Sequence, residues 1–111
     1  MIMTVQSIIE KLNLEIICDG GSLNTEINGC FASDLLSLAM ANVEKNNVWI
    51  TVQTNMNILG IAALAESACV IIAQGMNIPE AVIEKAKEEN ICVLRTELPV
   101  YELCLEIGKL I

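Results

Sequence analysis

Three short apolar runs at nearly even spacing constrain the fold of this chain more than any other feature. They begin at Val48, Cys69 and Ile91, about 21 residues apart, and a stretch of helical character follows each of them. None of the runs alternates between apolar and polar residues, so both faces of each are expected to be buried. Strands of this kind, each followed by a helix, are typical of parallel βαβ units with right-handed crossovers.

The N-terminal part of the chain is less regular. Apolar residues in Thr4–Leu12 have helical spacing, Leu14–Cys18 is predicted to be a short strand, and Thr25–Ala32 a second one. Further helices are predicted at Ser33–Glu44, Asn55–Ser67, Pro79–Asn90 and Glu97–Leu110. No linker divides the sequence, so we expect one α/β domain over residues 1–111. It should contain a largely parallel sheet of about 4–5 strands, helices on both faces and three C-terminal βα units.

Two of the predicted helices begin with residues that favour helix N-termini. Thr4 could cap the first helix, and Ser33 is predicted to cap the second. Asp34 would then lie at the positive end of that helix dipole, where a carboxylate is favourable.

The charge balance excludes several classes of partner. With 14 acidic and 6 basic residues, the net charge is −8, which repels nucleic acid and anionic membrane surfaces. The apolar stretch Ile58–Ala73 is too short for a membrane span and contains Glu66. No secretory signal is visible at the N-terminus. We expect a cytoplasmic protein that binds neither nucleic acid nor membranes.

The cysteines and the lack of histidine bear on catalysis. Five cysteines lie far apart without a CxxC pair, and the chain has no histidine. We expect reduced, buried thiols and no metal or other cofactor. The Ser-His and Cys-His nucleophile systems are excluded. The chain is therefore predicted not to be an enzyme. An enzyme would need a metal or cofactor held by carboxylates or amides.

Two helices are apolar around most of their circumference, which indicates a second subunit. The apolar positions are Leu35, Leu36, Leu38, Ala39 and Met40 in one helix, and Met56, Ile58, Leu59, Ile61, Ala62, Leu64 and Ala65 in the other. A helix of this kind must be buried on all sides, and a domain of this size has little room for two. We expect a homodimer that covers at least one of them.

Polar residues follow the three buried strands. Ligands of open parallel sheets bind beyond the carboxyl ends of the strands, where this chain has Gln53, Thr54, Asn55, Asn57, Gln74, Gly75, Arg95 and Thr96. These groups could hold a small anionic ligand, with Arg95 as the clamp. The alternatives are structural: helix capping by Thr54, Asn55 and Asn57, a salt bridge from Arg95 to Glu97 or another neighbour, and a turn at Gly75.

From Ser33 onward the chain resembles the DRTGG domain family. The resemblance rests on SDLLSLAM, VWITVQT, NILGIAALAESA, CVIIAQGMNIPEAVIEKAKEENI and CVLRTELPVYEL. Relatives occur in phosphotransacetylases, CBS-containing pyrophosphatases and HPr kinase/phosphorylase, where the domain is regulatory or forms dimers. Where relatives carry an Asp-Arg turn this chain has residues 53–57, and the Thr-Gly-Gly-like turn is Ala73-Gln74-Gly75. The resemblance implies an α/β fold, a homodimer and a role without catalysis.

Two functional hypotheses follow. The first is a regulatory or dimerisation module that acts on an unidentified partner protein. The alternative is a sensor of a small ligand, such as a nucleotide or phosphorylated metabolite, at the strand ends.

Overall fold

The computed structural model describes residues 2–111, which form an α/β fold as predicted. The strands are β1 (Glu15–Cys18), β2 (Gly29–Ala32), β3 (Asn47–Thr51), β4 (Cys69–Ile72) and β5 (Val93–Arg95). The helices are α1 (Val5–Leu12), α2 (Leu36–Asn42), α3 (Asn57–Ala65), α4 (Glu80–Glu89) and α5 (Val100–Leu110).

The sheet has the order β1-β5-β4-β3-β2 and is largely parallel. Strands β2, β3, β4 and β5 run in the same direction, which confirms the three C-terminal βα units. β1 is antiparallel to β5, and its register shifts between Ile16 and Cys18. The two edges of the sheet are therefore β1, which is reversed and irregular, and β2, which is regular.

Two apolar cores lie on opposite faces of the sheet. On one face, α1 and α5 cover strand residues that include Val48, Ile50 and Ile71. On the other, α2, α3 and α4 cover a set that includes Trp49 and Val70. Because successive side chains of a strand point to opposite faces, Val48 and Trp49 belong to different cores. Every residue of β3 and β4 is buried, which explains why these runs do not alternate.

The second strand is shorter than predicted, because its expected first residues pair with the start of α1 instead. The Val5 amide donates to the Thr25 carbonyl at 3.0 Å, and the Ile27 amide donates to the Met3 carbonyl at 2.8 Å. Thr4 forms an isolated antiparallel bridge with residue 26 and caps α1, as predicted.

The predicted start of the second helix is wrong. α2 begins at Leu36, after an N-cap residue that makes no side-chain cap, and it ends at Asn42 rather than Glu44. Ser33 Oγ accepts a hydrogen bond from the Leu35 amide in a local turn. Asp34 bonds to the end of β3 instead of serving the helix dipole.

Several large apolar side chains of α2, α3 and their flanks lie on the surface. They are Leu35, Leu38, Met40, Met56 and Leu64, the last with 75% of its surface exposed. In a single copy of the chain, part of the apolar surface that we predicted to be buried is therefore uncovered. Among residues 2–111, no helix combines the length and apolarity that crossing a bilayer requires.

Candidate functional site

One group of polar side chains lies where β2 and β3 end. The Oδ1 atom of Asp34 accepts hydrogen bonds from Thr51 Oγ1 at 2.9 Å and from the Val52 amide at 2.8 Å. Gln53 Nε2 donates to the Asp34 carbonyl at 3.0 Å, and Gln53 Oε1 accepts from Asn55 Nδ2 at 3.0 Å. We call Asp34, Thr51, Gln53 and Asn55 the Asp34 cluster.

The loop after the Asp34 cluster leads into α3. Asn55 Oδ1 accepts a hydrogen bond from the Asn57 amide at 3.0 Å. This bond satisfies a backbone donor at the helix start, which is the structural alternative to ligand binding. Thr54 is half-buried, and Asn57 is exposed on the same loop. Part of the polar capacity of this loop is thus used within the loop.

A second group surrounds the only arginine of the chain. Arg95 Nε donates to the Met76 carbonyl at 2.8 Å, and Nη2 donates to the Gly75 carbonyl at 2.7 Å. Its Nη1 forms an ion pair with Glu15 Oε1 at 3.0 Å, and Nη2 lies 3.7 Å from Glu97 Oε2. We call these five residues the Arg95 cluster. The guanidinium thus joins β1, the loop after β4 and the end of β5.

The turn after β4 is fastened to the loop after β5. The Gln74 amide donates to the Leu98 carbonyl, and the Gly75 amide donates to the Thr96 carbonyl, both at 2.9 Å. Gln74 Oε1 accepts from the Val100 amide at 2.8 Å and so caps α5. Gly75 has a φ of +63°, a conformation that favours glycine. These contacts give Gln74 and Gly75 structural roles.

An open groove lies beside the Arg95 cluster. Its volume is about 380 Å³, and it is lined by Leu12, Asn13, Glu15, Arg95, Thr96, Glu97, Leu98 and Pro99. The charged groups at its wall are one guanidinium and two carboxylates. An anion that entered the groove would have to compete with Glu15 and Glu97 for Arg95, because both carboxylates already face it.

The structure divides the sequence-predicted site residues into two groups. Gln53 and Asn55 belong to the Asp34 cluster, with Thr54 and Asn57 on the same loop, whereas Gln74, Gly75, Arg95 and Thr96 lie together at the ends of β4 and β5. Sequence reasoning missed Asp34 and Glu15 as members of these groups. Glu15 is 80 residues from Arg95 in the chain, and no local signal connects the two.

The five cysteines are all free thiols. Cys69 and Cys92 are buried, Cys18 and Cys104 are half-buried, and Cys30 is an exposed residue, so the expectation of burial is wrong for Cys30. Although Cys30 is exposed as a whole residue, its sulfur is largely shielded from water, and this desolvation, together with the nearby Cys104, raises the pKa of the thiol to about 12. A hydrogen bond with Cys92 and burial raise the pKa of Cys69. Thiols with raised pKa values are poor nucleophiles at neutral pH.

Metal-binding groups are dispersed over the described part of the chain. Among residues 2–111, no three cysteine or carboxylate side chains come together in a way that could hold a metal ion.

A second groove separates α2 from α3 and is apolar. Its volume is about 340 Å³, and its lining residues are Leu36, Met40, Asn57, Gly60, Ile61 and Leu64. Gly60 contributes no side chain, and no atom lies within 4 Å of the position that a Cβ would occupy there, so it leaves room for the groove. We call this the α2–α3 groove.

Comparisons with known proteins agree on one family. The family model of the DRTGG domain matches residues 7–110, and no curated protein matches the chain. Among solved structures, a similar one is the crystal structure of the CBS and DRTGG domains of the regulatory region of Clostridium perfringens pyrophosphatase, complexed with its activator, diadenosine tetraphosphate. The TM-score is 0.69 at 16% identity. The match covers 86% of this chain and 41% of that one, so the present chain spans about two-fifths of the length of its neighbour.

Proposed function

The chain belongs to the DRTGG domain family, and on that premise we propose that it is a regulatory domain that forms a homodimer and acts on a separate partner protein. The observation that carries the proposal is the uncharged apolar surface left exposed by α2 and α3. The regulatory part is supported by the neighbouring structure, in which a DRTGG domain lies in the regulatory region of a pyrophosphatase.

The distribution of charge supports self-association. At a net charge of −8, two copies repel one another wherever charged surfaces face each other. The segments β2, α2 and α3 contain none of the 14 acidic and 6 basic residues. They supply exposed leucine and methionine side chains, which gain free energy when they leave water. Two acidic copies can therefore meet at the β2 and α2 side of this surface without juxtaposing charges, and the α3 side stays free for a partner.

Sedimentation velocity of the purified chain tests the dimer. We expect a two-subunit species at micromolar concentration that persists at high salt, because apolar contacts are not screened. A monomer across the micromolar range would contradict the dimer.

The α2–α3 groove is the surface that we propose for the partner protein. An apolar segment of the partner would fill it, since Leu36, Ile61 and Leu64 line it and no charged residue does. A groove of this kind suits an amphipathic helix.

A matched pair of variants tests this role. Leu64→Glu should abolish capture of the partner, whereas Glu84→Gln, at an exposed residue of α4, should leave it unchanged. The captured protein must then change its own rate of reaction or ligand binding when the wild-type domain is added. A protein captured equally by wild type and Leu64→Glu, or one whose activity does not respond, would count against the proposal.

A second candidate function is that of a ligand sensor at the carboxyl edge of the sheet. The groove of about 380 Å³ beside Arg95 favours it, and the regulatory region of the neighbouring structure is complexed with a nucleotide activator. In this function Arg95 and Thr96 would contact the ligand from the wall of the groove, with Gln74 and Gly75 on the adjacent turn. The loop with Gln53, Thr54, Asn55 and Asn57 would provide a second set of contacts.

Thermal denaturation with nucleotides and phosphorylated metabolites tests the sensor. A ligand present at about 100 times its dissociation constant adds roughly 2.7 kcal/mol to the free energy of unfolding, which would raise the melting temperature of a domain of this size by several degrees. The shift should be absent in Arg95→Met. The absence of any shift in the wild type would eliminate the ligands tested.

A further inference from the structure

The outer edge of β2 is the least protected part of the sheet. β2 pairs with β3 on one side only, and among residues 2–111 no strand pairs with its other side. Its sequence, Gly29-Cys30-Phe31-Ala32, contains no proline and no charged side chain, and its register with β3 is regular. Natural sheets usually protect such an edge with charges, prolines or bulges. An unprotected edge therefore needs a partner strand.

Hydrogen bonding shows which backbone groups of β2 point outward. The Ser33 amide donates to the Ile50 carbonyl on the β3 side, and the backbone groups of a strand alternate between its two sides. The backbone amide and carbonyl of Phe31 thus point towards β3, while those of Cys30 and Ala32 point outward. Both of these residues are exposed. The edge offers two donors and two acceptors in an extended segment.

One side of α2 adds an apolar margin along this edge. Ala39 is fully buried against the core, and Leu36 and Met40 line the groove towards α3. At about 100° per residue, Leu38 lies on the side of α2 away from α3, which is the side of β2. Leu35 is the extended residue that immediately precedes the helix. Leu38 is 47% exposed and Leu35 is 58% exposed.

On the other face of the sheet, α5 provides a second apolar margin. α5 packs against β2, and Cys104 is the α5 residue whose thiol lies near that of Cys30. Tyr101, Leu105 and Gly108 lie towards the same side of the helix, and Tyr101 is 73% exposed. The charged residues Glu102, Glu106 and Lys109 lie further round the helix, away from Cys104, and Glu102 and Lys109 adjoin Leu105 at the outer margin.

We propose that the homodimer forms by antiparallel pairing of β2 with β2 of a second copy, so that the two sheets join into one of ten strands. The inference rests on the proposed dimer and specifies where it forms. Two-fold symmetry about an axis perpendicular to the sheet makes the paired strands antiparallel. Cys30 of each copy then lies opposite Ala32 of the other, and Phe31 lies at the axis. The same operation brings α2 next to α2 and α5 next to α5.

Charge and size select a second copy of this chain as the occupant. The strand edge, α2 and the apolar side chains of α5 that face β2 carry no charge, so two acidic copies can pair there without placing carboxylates against each other at the centre of the interface. A standard interface buries about 800 Å² on each partner. This is about one-seventh of the 5779 Å² surface of the chain, an area that one strand edge and two flanking helices can supply.

Sedimentation of full-length variants tests the interface. Ala32→Pro removes one outward-pointing amide donor from each subunit, and therefore two from each dimer. The monomer should tolerate the change, because proline is accepted at an edge position whose amide faces solvent. Leu38→Glu places like charges across the axis. Each should raise the dimer dissociation constant by about 100-fold or more. Leu64→Glu, in the α2–α3 groove, is the control and should leave the dissociation constant within about 3-fold of the wild type, because such exposed sites act independently of the interface.

Amide hydrogen exchange adds a readout that does not depend on a single variant. The outward amides of Cys30 and Ala32 should exchange slowly in the wild-type dimer and rapidly in Leu38→Glu, while Val48 and Val70 remain protected in both. A wild-type dimer in which these two amides exchange rapidly, or which only Leu64→Glu dissociates, would overturn the β2 interface while the proposed dimer stands. A wild-type monomer would overturn both.

Discussion

The carboxylate of Asp34 accepts hydrogen bonds from both the hydroxyl of Thr51, at 2.9 Å, and the backbone amide of Val52, at 2.8 Å. It therefore ties the loop after β2 to the end of β3. Thr51 is 1% exposed, so its hydroxyl has little access to water as an alternative partner. The bond links the edge strand β2 to the centre of the sheet at the end where the polar loops lie.

Replacing Asp34 should separate the acceptor role from the charge. We expect Asp34→Ala to lower the free energy of unfolding by about 1–3 kcal/mol, because the buried Thr51 hydroxyl loses its acceptor. Asp34→Asn keeps an oxygen at the same position and should cost less than about half as much. Urea denaturation of the two variants makes the comparison. Equal losses would show that the negative charge, rather than the acceptor, stabilises the loop.

Gly20 and Gly21 form a natural pair for testing close packing. Both have positive φ, +58° and +71°. A Cβ at Gly20 would lie 2.5 Å from the Cys92 amide nitrogen and 2.7 Å from the Ile91 carbonyl carbon, whereas a Cβ at Gly21 would meet nothing within 4 Å. We expect Gly21→Ala to cost about 1 kcal/mol for backbone conformation alone.

Gly20→Ala should cost about 3 kcal/mol or more, since a backbone clash adds to the same conformational cost. The difference between the two alanine variants, measured by thermal or urea unfolding, isolates the contact between the turn after β1 and the start of β5. Similar losses at the two positions would mean that β5 moves away at little cost.

Arg95 should stabilise the fold through its contacts with carbonyls more than through its ion pairs. Arg95→Met removes donors to the carbonyls of Gly75 and Met76, so we expect a loss of about 2 kcal/mol in the free energy of unfolding. Glu15→Gln should cost less than about 1 kcal/mol, because the Glu15 side chain is 57% exposed. A loss in Glu15→Gln as large as that in Arg95→Met would assign the stabilisation to the ion pair.

The thiol of Cys30 should make stability depend on alkaline pH. Its pKa rises from 9.0 to about 12 in the folded chain, whereas the unfolded chain ionises near the ordinary value. Between these values the unfolded state loses a proton that the folded state keeps, so stability falls as the pH rises above about 9. Cys30→Ala should show a shallower decline in the urea midpoint between about pH 8 and pH 10.5. Parallel declines in the two proteins would show that other groups, such as lysines, account for the effect.

The C-terminal half of the fold follows from local patterns, and the N-terminal half does not. Runs such as Cys69–Ala73 are apolar throughout because both faces of the central strands are covered, and that signal is present in the sequence itself. β1 lies at an edge and pairs with β5 across most of the chain length. Its direction depends on where the connection from Cys18 to Gly29 crosses the sheet, which no local pattern records.

The locations of the polar clusters could be predicted from the sequence, but the hydrogen-bond partners of their side chains could not. The carboxyl ends of parallel strands indicated where Gln53, Gln74 and Arg95 would lie. Their partners depend on tertiary contacts: Asp34 meets Thr51 only when β2 lies beside β3, and Glu15 reaches Arg95 only when β1 lies beside β5. The sequence pattern predicts a helix start at Asp34, because nothing in it indicates that α2 begins two residues later.

The shifted register of β1 between Ile16 and Cys18 has a consequence for assembly size. Pairing of β2 with β2 would occupy the one regular sheet edge of each subunit. The two outer edges of the joined sheet would then both be β1 strands. An edge strand that contains the charged Glu15 and has an irregular hydrogen-bond register is a poor template for another strand. Growth would therefore stop at two subunits instead of propagating into a fibre.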